Sequence, residues 1–165
     1  MFGKKKWYIV AMAGSEAPRR IPRYETGDNS RDIFCEIIER RTPAVRIFDT
    51  DRASVIMDLN GYPLVLSKTH LEEDVPEILS LAGKMAPVVR RVYVADGVRI
   101  QLNLGEAAGQ EISHPHVHII PKRKVEGGVG KTITTTDFGE KSKMARKIRK
   151  LCEDLIPYPY KKLTF

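Results

Sequence analysis

The chain has 165 residues, of which 42% are hydrophobic, and its formal net charge is +7 at pH 7. This length fits one domain, or one domain with a tail, and the apolar content is sufficient for a core. No apolar run approaches the roughly 18 residues that a membrane-spanning helix needs, so we expect no membrane partner. The two cysteines exclude a disulfide-rich secreted scaffold.

The positive charge lies in the two ends of the chain. The middle, residues 35–121, carries more acidic than basic side chains. A domain that binds duplex nucleic acid usually carries positive charge across its working surface. We therefore expect that nucleic acid is not the primary ligand.

Residues 1–30 are predicted to be an N-terminal extension. Prolines and turn-forming residues interrupt every periodic pattern there, and the segment is basic. The low cysteine content favours a reducing compartment, and we predict the cytoplasm. The nucleus stays open, as does an organelle reached through the basic N-terminus.

Regular elements are predicted across residues 31–125, the expected core domain. Apolar residues from Ile33 to Ile38 recur at helical spacing, and Pro43 ends that short helix. A longer helix begins near Pro76, and Pro87 should kink or interrupt it. Five strands with few helices between them predict an α+β fold with an antiparallel sheet. The predicted strands are residues 44–49, 54–59, 64–67, 98–104 and 112–120.

Residues 126–165 are predicted to form a loop and a basic amphipathic helix. Residues 127–132 end in Gly-Lys-Thr, but a phosphate-binding loop would need glycine where Val125 stands, so we expect a flexible loop. The helix should pack its apolar face on its own domain and keep its basic face in water. The apolar face comprises Met144, Ile148, Leu151, Cys152 and Leu155, and the basic face Lys141, Lys143, Arg146, Lys147, Arg149 and Lys150.

Three of the four histidines, His114, His116 and His118, alternate along one predicted strand. Alternate residues of a strand share a face, so the three imidazoles should line one cleft while Val117 and Ile119 face the core. Packing does not explain repeated titratable groups. Two chemistries use such a pattern: metal binding, and nucleophilic attack on phosphorus by an imidazole nitrogen.

The run His114-Pro-His116-Val-His118-Ile-Ile resembles the His-φ-His-φ-His-φ-φ signature of the histidine triad (HIT) family. The resemblance extends over roughly residues 31–122 and is nearest to the Hint, or phosphoramidase, branch. It implies a five-stranded antiparallel sheet with a short N-terminal helix, one longer helix and a C-terminal helix, in a homodimer. Family-like segments lie at residues 33–38, 58–60, 64–70, 103–105 and 108–110.

The resemblance also implies a mechanism without a required cofactor. His116 would attack the α-phosphorus of a purine nucleoside phosphoramidate, and hydrolysis of the resulting nucleotidyl-histidine would release the nucleoside monophosphate. The backbone carbonyl of His114 would fix the tautomer of His116. His118 would contact the phosphate and help to protonate the leaving group, and His70 would support the site.

Further residues are implied as the substrate-binding site. Asn103, Gly109 and Gln110 would hold phosphate oxygens, and Asp58 would accept hydrogen bonds from the ribose. Glu111 stands beside them, where a carboxylate repels a phosphate unless it is turned away. The apolar slot for the base would comprise Ile33, Phe34, Ile37, Ile56 and Leu59, although plain core packing explains any single one of these equally well.

Some HIT proteins bind a structural zinc through Cys-x-x-Cys, a fourth histidine and the first triad histidine. In this chain Cys35 matches the second cysteine, and Asp32 occupies the first position. Asp32, Cys35, His70 and His114 can make a tetrahedral set, since carboxylate is an allowed zinc ligand. Loss of one thiolate favours the other interpretation, in which Cys35 is a small buried hydrophobe.

Three alternatives stay open from the sequence. One is a dinucleoside polyphosphate hydrolase, which needs room for a second nucleotide. Another is a nucleotide-binding interaction module with slow catalysis. The third is a zinc-held scaffold in which the histidines are ligands.

Overall fold

The computed structural model describes residues 8–10, 19–21, 32–69 and 71–155. The strands are β1 Tyr8–Val10, β2 Arg19–Ile21, β3 Arg46–Asp49, β4 Ala53–Met57, β5 Pro63–Ser67, β6 Gly97–Leu102, β7 His116–Val125 and β8 Gly128–Thr132, and the helices are α1 Ile33–Ile38, α2 Val75–Val92 and α3 Phe138–Leu151.

The main sheet is antiparallel throughout, with the strand order β3-β4-β5-β7-β6. The predicted α+β fold with a five-stranded antiparallel sheet is therefore confirmed. A sixth strand, β8, pairs with the far end of β7. The prediction of a flexible loop at residues 127–132 was wrong, because Gly127, at φ +75°, lets the chain fold back on β7 as a hairpin. Within the N-terminal extension, β1 and β2 pair with each other as a separate antiparallel ribbon.

The two faces of the main sheet are covered differently. Helices α2 and α3 cover one face and build the larger core with the inward residues of the strands, such as Val65, Val117 and Ile119. The short helix α1 packs on the other face, where Phe34 contributes to a smaller apolar cluster. That cluster comprises Phe34, Ile37, Ile56, Leu64 and Leu66. The smaller cluster leaves part of its face open for a site.

Pro87 lies inside α2 and does not end it. Its ring is exposed, so water can hydrate the carbonyl that loses its N–H partner. The buried stripe of the helix, which includes Ile78, Met85 and Val89, keeps α2 on the sheet on both sides of the proline. Among the described residues, no helix combines the length and the apolar character that crossing a membrane requires.

Candidate active site

Strand β7, which carries the histidines, lies between β5 and the edge strand β6 in the main sheet. His116 lies opposite Leu66, and His118 lies opposite Leu64. Both histidines therefore share the face that α1 covers, as the alternating pattern predicts. Val117, between them, is fully buried on the α2 side.

His114 takes a different orientation, because β7 begins at His116 and not at residue 112 as the sequence suggested. Its ring is fully buried behind the site. Nε2 of His114 donates a hydrogen bond to the carbonyl of Ser67 at 2.6 Å, and Nδ1 lies 3.2 Å from Oδ2 of Asp32. Two of the three triad imidazoles thus line the cavity, and His114 contributes its backbone carbonyl.

Nδ1 of His116 lies 2.7 Å from the carbonyl oxygen of His114. Because a carbonyl only accepts, Nδ1 carries the hydrogen, and Nε2 of the neutral ring keeps its lone pair. Burial lowers the pKa of His116, so that the neutral form dominates at pH 7. The ring also contacts the edge of Phe34, with 5.0 Å between ring centroids.

The ring of His118 stacks edge to face with that of His116, at 5.2 Å between centroids. Nδ1 of His118 is buried and makes no hydrogen bond to any described residue. Oδ2 of Asp58 lies 3.8 Å from this nitrogen. Burial, helped by the neighbouring charge of His116, lowers the pKa of His118 to about 4. The ring is therefore a neutral group in the unliganded protein at pH 7.

A cavity of about 390 Å³ opens in front of His116 and His118. This volume is within the range of about 300–1,000 Å³ that is typical of small-molecule sites. One end is polar, with Asn103, Gly109 and Glu111 beside the two histidines. The other end is apolar and includes all five residues of the expected base slot, Ile33, Phe34, Ile37, Ile56 and Leu59.

The loop after β6 is held by side-chain amides. Asn103 donates from Nδ2 to the carbonyl of Gly109 at 3.2 Å. Gln110 accepts from the backbone N–H of Gly105 at 2.7 Å and donates to the carbonyl of His114 at 3.4 Å. Gln110 does not line the cavity, so its side chain fixes the loop and the carbonyl that holds His116.

Asp58 follows β4 and lines the cavity at the start of a tight turn. Its carboxylate accepts hydrogen bonds from the backbone N–H of Tyr62 at 3.2 Å and from Nδ2 of Asn60 at 3.4 Å. Burial raises the pKa of Asp58, and these hydrogen bonds oppose that effect. Asp58 is thus a fixed hydrogen-bond acceptor in the wall of the cavity.

Asp32, Cys35 and His114 form a cluster of metal-ligating atoms behind the cavity, all within 4.8 Å of one another. Asp32 also caps α1, since its Oδ1 accepts from the backbone N–H groups of Phe34 and Cys35 at 2.8 and 2.9 Å. Sγ of Cys35 is 3.8 Å from Nδ1 of His114. His70, the fourth expected ligand and fourth expected catalytic histidine, lies outside the described residues.

The HIT domain pattern matches residues 39–125, more than half of the chain. This chain belongs to the HIT family. The expected resemblance is therefore confirmed, and at the level of the family it supports nucleotide hydrolase chemistry in this HIT protein.

Two curated relatives with named activities match this HIT protein. Adenosine 5'-monophosphoramidase HNT1 of Saccharomyces cerevisiae is 30% identical over 125 residues, which cover 70% of this chain and 79% of the yeast protein. Adenylylsulfatase HINT3 of Arabidopsis thaliana is 32% identical over 103 residues, which cover 56% of this chain but 52% of the plant protein. The match therefore spans about half of the plant protein's length. These relatives are Hint-like, as the sequence indicated.

A solved structure gives the same fold. The zinc-bound histidine triad family protein from Mycobacterium smegmatis superposes with a TM-score of 0.62 at 27% identity. The superposition covers 74% of this HIT protein and 96% of the mycobacterial chain. The fold is thus that of a HIT protein over the described core.

Ten residues that line the cavity are absent from the sequence-based site, among them Gln101, Phe138 and Lys141. Gln101 pairs with His118 across β6 and β7, so strand alternation could have found it. Phe138 and Lys141 come from α3. The prediction that Lys141 lies on a solvated face was wrong, because the side chain is buried and its Nζ donates to the carbonyl of Leu59 at 2.8 Å. No sequence pattern relates these two distant positions.

Proposed function

We propose that this HIT protein hydrolyses purine nucleoside phosphoramidates to nucleoside monophosphates through a nucleotidyl-His116 intermediate. Nε2 of His116 attacks the α-phosphorus, a phosphorus–nitrogen bond to the enzyme forms, and the bond to the amine leaving group breaks. Water then attacks the same phosphorus and releases the monophosphate from Nε2. The family-level similarity to a phosphoramidase supports this substrate class.

The observation that carries this proposal is the 2.7 Å hydrogen bond between Nδ1 of His116 and the carbonyl of His114. It fixes the tautomer in which Nε2 has the lone pair that a nucleophile needs. Burial in the cavity lowers the pKa of His116 and favours the neutral, nucleophilic ring. His114 is in turn held by Ser67 and Asp32, which supports a rigid carbonyl.

We propose that His118 delivers the proton to the leaving amine. The free ring is neutral, but the negative charge of a bound phosphate would favour its protonated form. Nδ1 or Nε2 would then donate as the amine departs. Asn103 and the backbone near Gly109 would hold phosphate oxygens as charge builds at phosphorus.

The rest of the nucleotide would fill the cavity toward α1. Asp58 is the acceptor proposed for the ribose hydroxyls, and the apolar end is proposed for the purine. A volume of about 390 Å³ favours one nucleotide over the two of a dinucleoside polyphosphate. Glu111, also at the polar end, suits an amine leaving group better than an anionic one.

The test is the release of AMP from adenosine 5′-phosphoramidate by the wild type and by His116→Ala. We expect turnover in the wild type and a loss of at least about a thousand-fold in kcat for the variant, because a covalent route needs this nitrogen. The variant should still bind AMP, which separates lost chemistry from lost structure. A folded wild type that binds AMP but shows no turnover would contradict the proposal and favour a binding module.

The Asp32, Cys35 and His114 cluster has the geometry for a structural zinc ion. Zinc bonds of about 2.0–2.3 Å in a tetrahedron separate ligand atoms by roughly 3.3–3.8 Å. The structure has 3.2 Å between Oδ2 of Asp32 and Nδ1 of His114, and 3.8 Å between that nitrogen and Sγ of Cys35. We propose that these residues hold zinc and that the ion would tie α1 to the start of β7.

Metal analysis tests this proposal. Wild type incubated with zinc and then desalted should retain about one equivalent, and Cys35→Ser should retain clearly less because serine is a poor zinc ligand. The matched control is Cys152→Ser, since Cys152 is buried near α3 and away from the cluster. Zinc below about 0.1 equivalent in the wild type would contradict the proposal.

Two broader properties of the protein are also proposed. We propose a homodimer, which the family resemblance implies. We also propose a cytoplasmic location, on the low cysteine content of the chain.

A further inference from the structure

The turn that carries Asp58 is held by three different parts of the chain. Three successive backbone carbonyls, of residues 59, 60 and 61, each accept a hydrogen bond from a separate element. Two of the donors, Thr135 and Lys141, follow β8 in the chain and therefore lie outside the histidine-bearing run of residues 114–118. The donors are Nζ of Lys141 to Leu59 at 2.8 Å, the backbone N–H of Thr135 to Asn60 at 2.9 Å, and the hydroxyl of Tyr93 to Gly61.

The segment after β8 lies directly on this turn. Gly61 has φ +81°, and a Cβ there would lie 2.0 Å from the carbonyl oxygen of Thr135. Glycine is therefore the residue that allows this close approach. The contact continues into α3, whose first turn contributes Phe138 and Lys141 to the cavity.

In the described part of the chain, Lys141 is the only buried lysine, with 9% of its surface exposed. A buried ammonium is costly unless acceptors or negative charge surround it. Lys141 has both, since it donates to Leu59 and feels the negative charge of Asp58. Burial is also unfavourable for the charged form of Asp58. Its other titratable neighbours are His118, Tyr62 and Tyr93.

We propose that Lys141 is a positioning residue for ribose recognition, because its hydrogen bond to Leu59 holds the turn from which the Asp58 carboxylate would accept hydrogen bonds from the ribose hydroxyls. The inference rests on the proposed function, since it takes the cavity to bind a ribonucleotide. It assigns the C-terminal helix a role in substrate selection. Preference for ribonucleotides over 2′-deoxynucleotides then depends on a residue that need not touch the ligand.

The experiment measures the dissociation constants of AMP and 2′-deoxy-AMP by calorimetry at pH 7.5. The wild type should prefer AMP by about ten-fold, the value of one hydrogen bond to a charged group. Lys141→Met keeps the apolar stem and removes the donor for Leu59, so AMP binding should weaken about ten-fold while 2′-deoxy-AMP binding changes less than about two-fold. Lys141→Arg should retain most of the preference.

Two further variants separate the possible roles. Lys141→Gln keeps a donor for Leu59 without the charge, and it should retain more of the preference than Lys141→Met. In the Asp58→Asn background, Lys141→Met should add little, because both substitutions remove the same interaction. Thermal unfolding of each variant shows whether it is folded.

Several results would overturn the inference. Equal weakening of both nucleotides by Lys141→Met would indicate a structural role alone, and so would full additivity with Asp58→Asn. An unchanged preference would also contradict it. A wild type that binds neither nucleotide would refute both this inference and the proposed function. A wild type that shows the preference without phosphoramidase turnover would refute only the proposed function.

Discussion

His116 and His118 lie two residues apart on one strand face, yet their environments differ. His116 has a backbone acceptor for Nδ1, whereas Nδ1 of His118 has no partner among the described residues. The acceptor partly offsets the effect of burial on the pKa of His116. For His118 the charge of its neighbour adds to burial, and the pKa falls to about 4. These environments support the different roles proposed for the two histidines.

The lowered pKa of His118 predicts a pH-dependent stability. In the unfolded chain a histidine has a pKa near 6.5. Below that pH the unfolded state binds a proton at His118, whereas His118 in the folded state stays neutral until the pH approaches 4. The free energy of unfolding should therefore fall as the pH drops from 6.5 toward 4. Between pH 7.5 and 5.0 the contribution of His118 to this loss should be about 2 kcal/mol.

Urea denaturation of the wild type and His118→Asn at the two pH values measures this contribution. Asparagine does not titrate, so the variant should lose about 2 kcal/mol less than the wild type. Most carboxylates remain ionised at pH 5.0, and they are common to both proteins. Equal pH dependence in the two proteins would mean that His118 is not buried as a neutral ring.

Two glycines in different elements predict opposite effects of the same substitution. Gly83 lies inside α2 on the exposed side, and a Cβ there meets no atom within 4 Å. Gly83→Ala should raise the free energy of unfolding by about 0.5–1 kcal/mol, because glycine is a poor helix former. At Gly61 the added Cβ would collide with Thr135, and the backbone has φ +81°. Gly61→Ala should lower stability by about 1–3 kcal/mol.

Chemical denaturation of the two variants at pH 7.5 provides the measurement. Each variant serves as the control for the other, since both add the same methyl group. A destabilised Gly83→Ala protein would indicate a neighbour above α2 in solution. An unaffected Gly61→Ala protein would indicate that residues 133–137 do not lie on the turn.

At the level of elements, local periodicity predicted most of the sheet and all three helices of the core. The strand order and the extra strand β8 depend on pairing between distant residues, which periodicity does not encode. Near the histidines, the apolar pattern of residues 112–120 suggested a strand four residues too long at its start. Residues 112–115 are not part of the strand. The carbonyl of His114 accepts a hydrogen bond from Gln110 in the preceding loop, and its ring contacts Asp32, which caps α1.

For the whole molecule, strand β6 is an edge of the main sheet. In the described residues it pairs only with β7, so its outer backbone groups are available to another strand. Ile100 on this strand is 37% exposed. These features support the proposed homodimer, in which two sheets would continue into one.

Light scattering after gel filtration tests the dimer. The wild type should have twice the 18.7 kDa mass of one chain at concentrations of about 10 µM and above. Ile100→Lys should shift the mass toward one chain, because a charge on an edge strand opposes pairing. Val94→Lys, at an exposed apolar position in the turn before β6, is the matched control and should remain a dimer. A wild type with the mass of one chain at all concentrations would contradict the proposal.

The division of the chain at residues 30 and 125 remains a prediction. The C-terminal part nevertheless packs on the core through α3, with Ala145 and Ile148 in the larger apolar cluster. The segment that the sequence treated as a tail therefore supplies both core and cavity residues.

The sequence by itself determined the fold class, the family and the alternation that brings His116 and His118 to one face. These depend on near neighbours in the chain, whose spacing fixes which side of a strand or helix they occupy. Only the tertiary structure decided that His114 turns toward Asp32, and that Lys141 is buried beside Leu59. Such contacts join residues about eighty positions apart, and they form only when separate elements pack together. A lysine among many solvated lysines carries no local sign of that burial, because its environment is set by the elements that close over it.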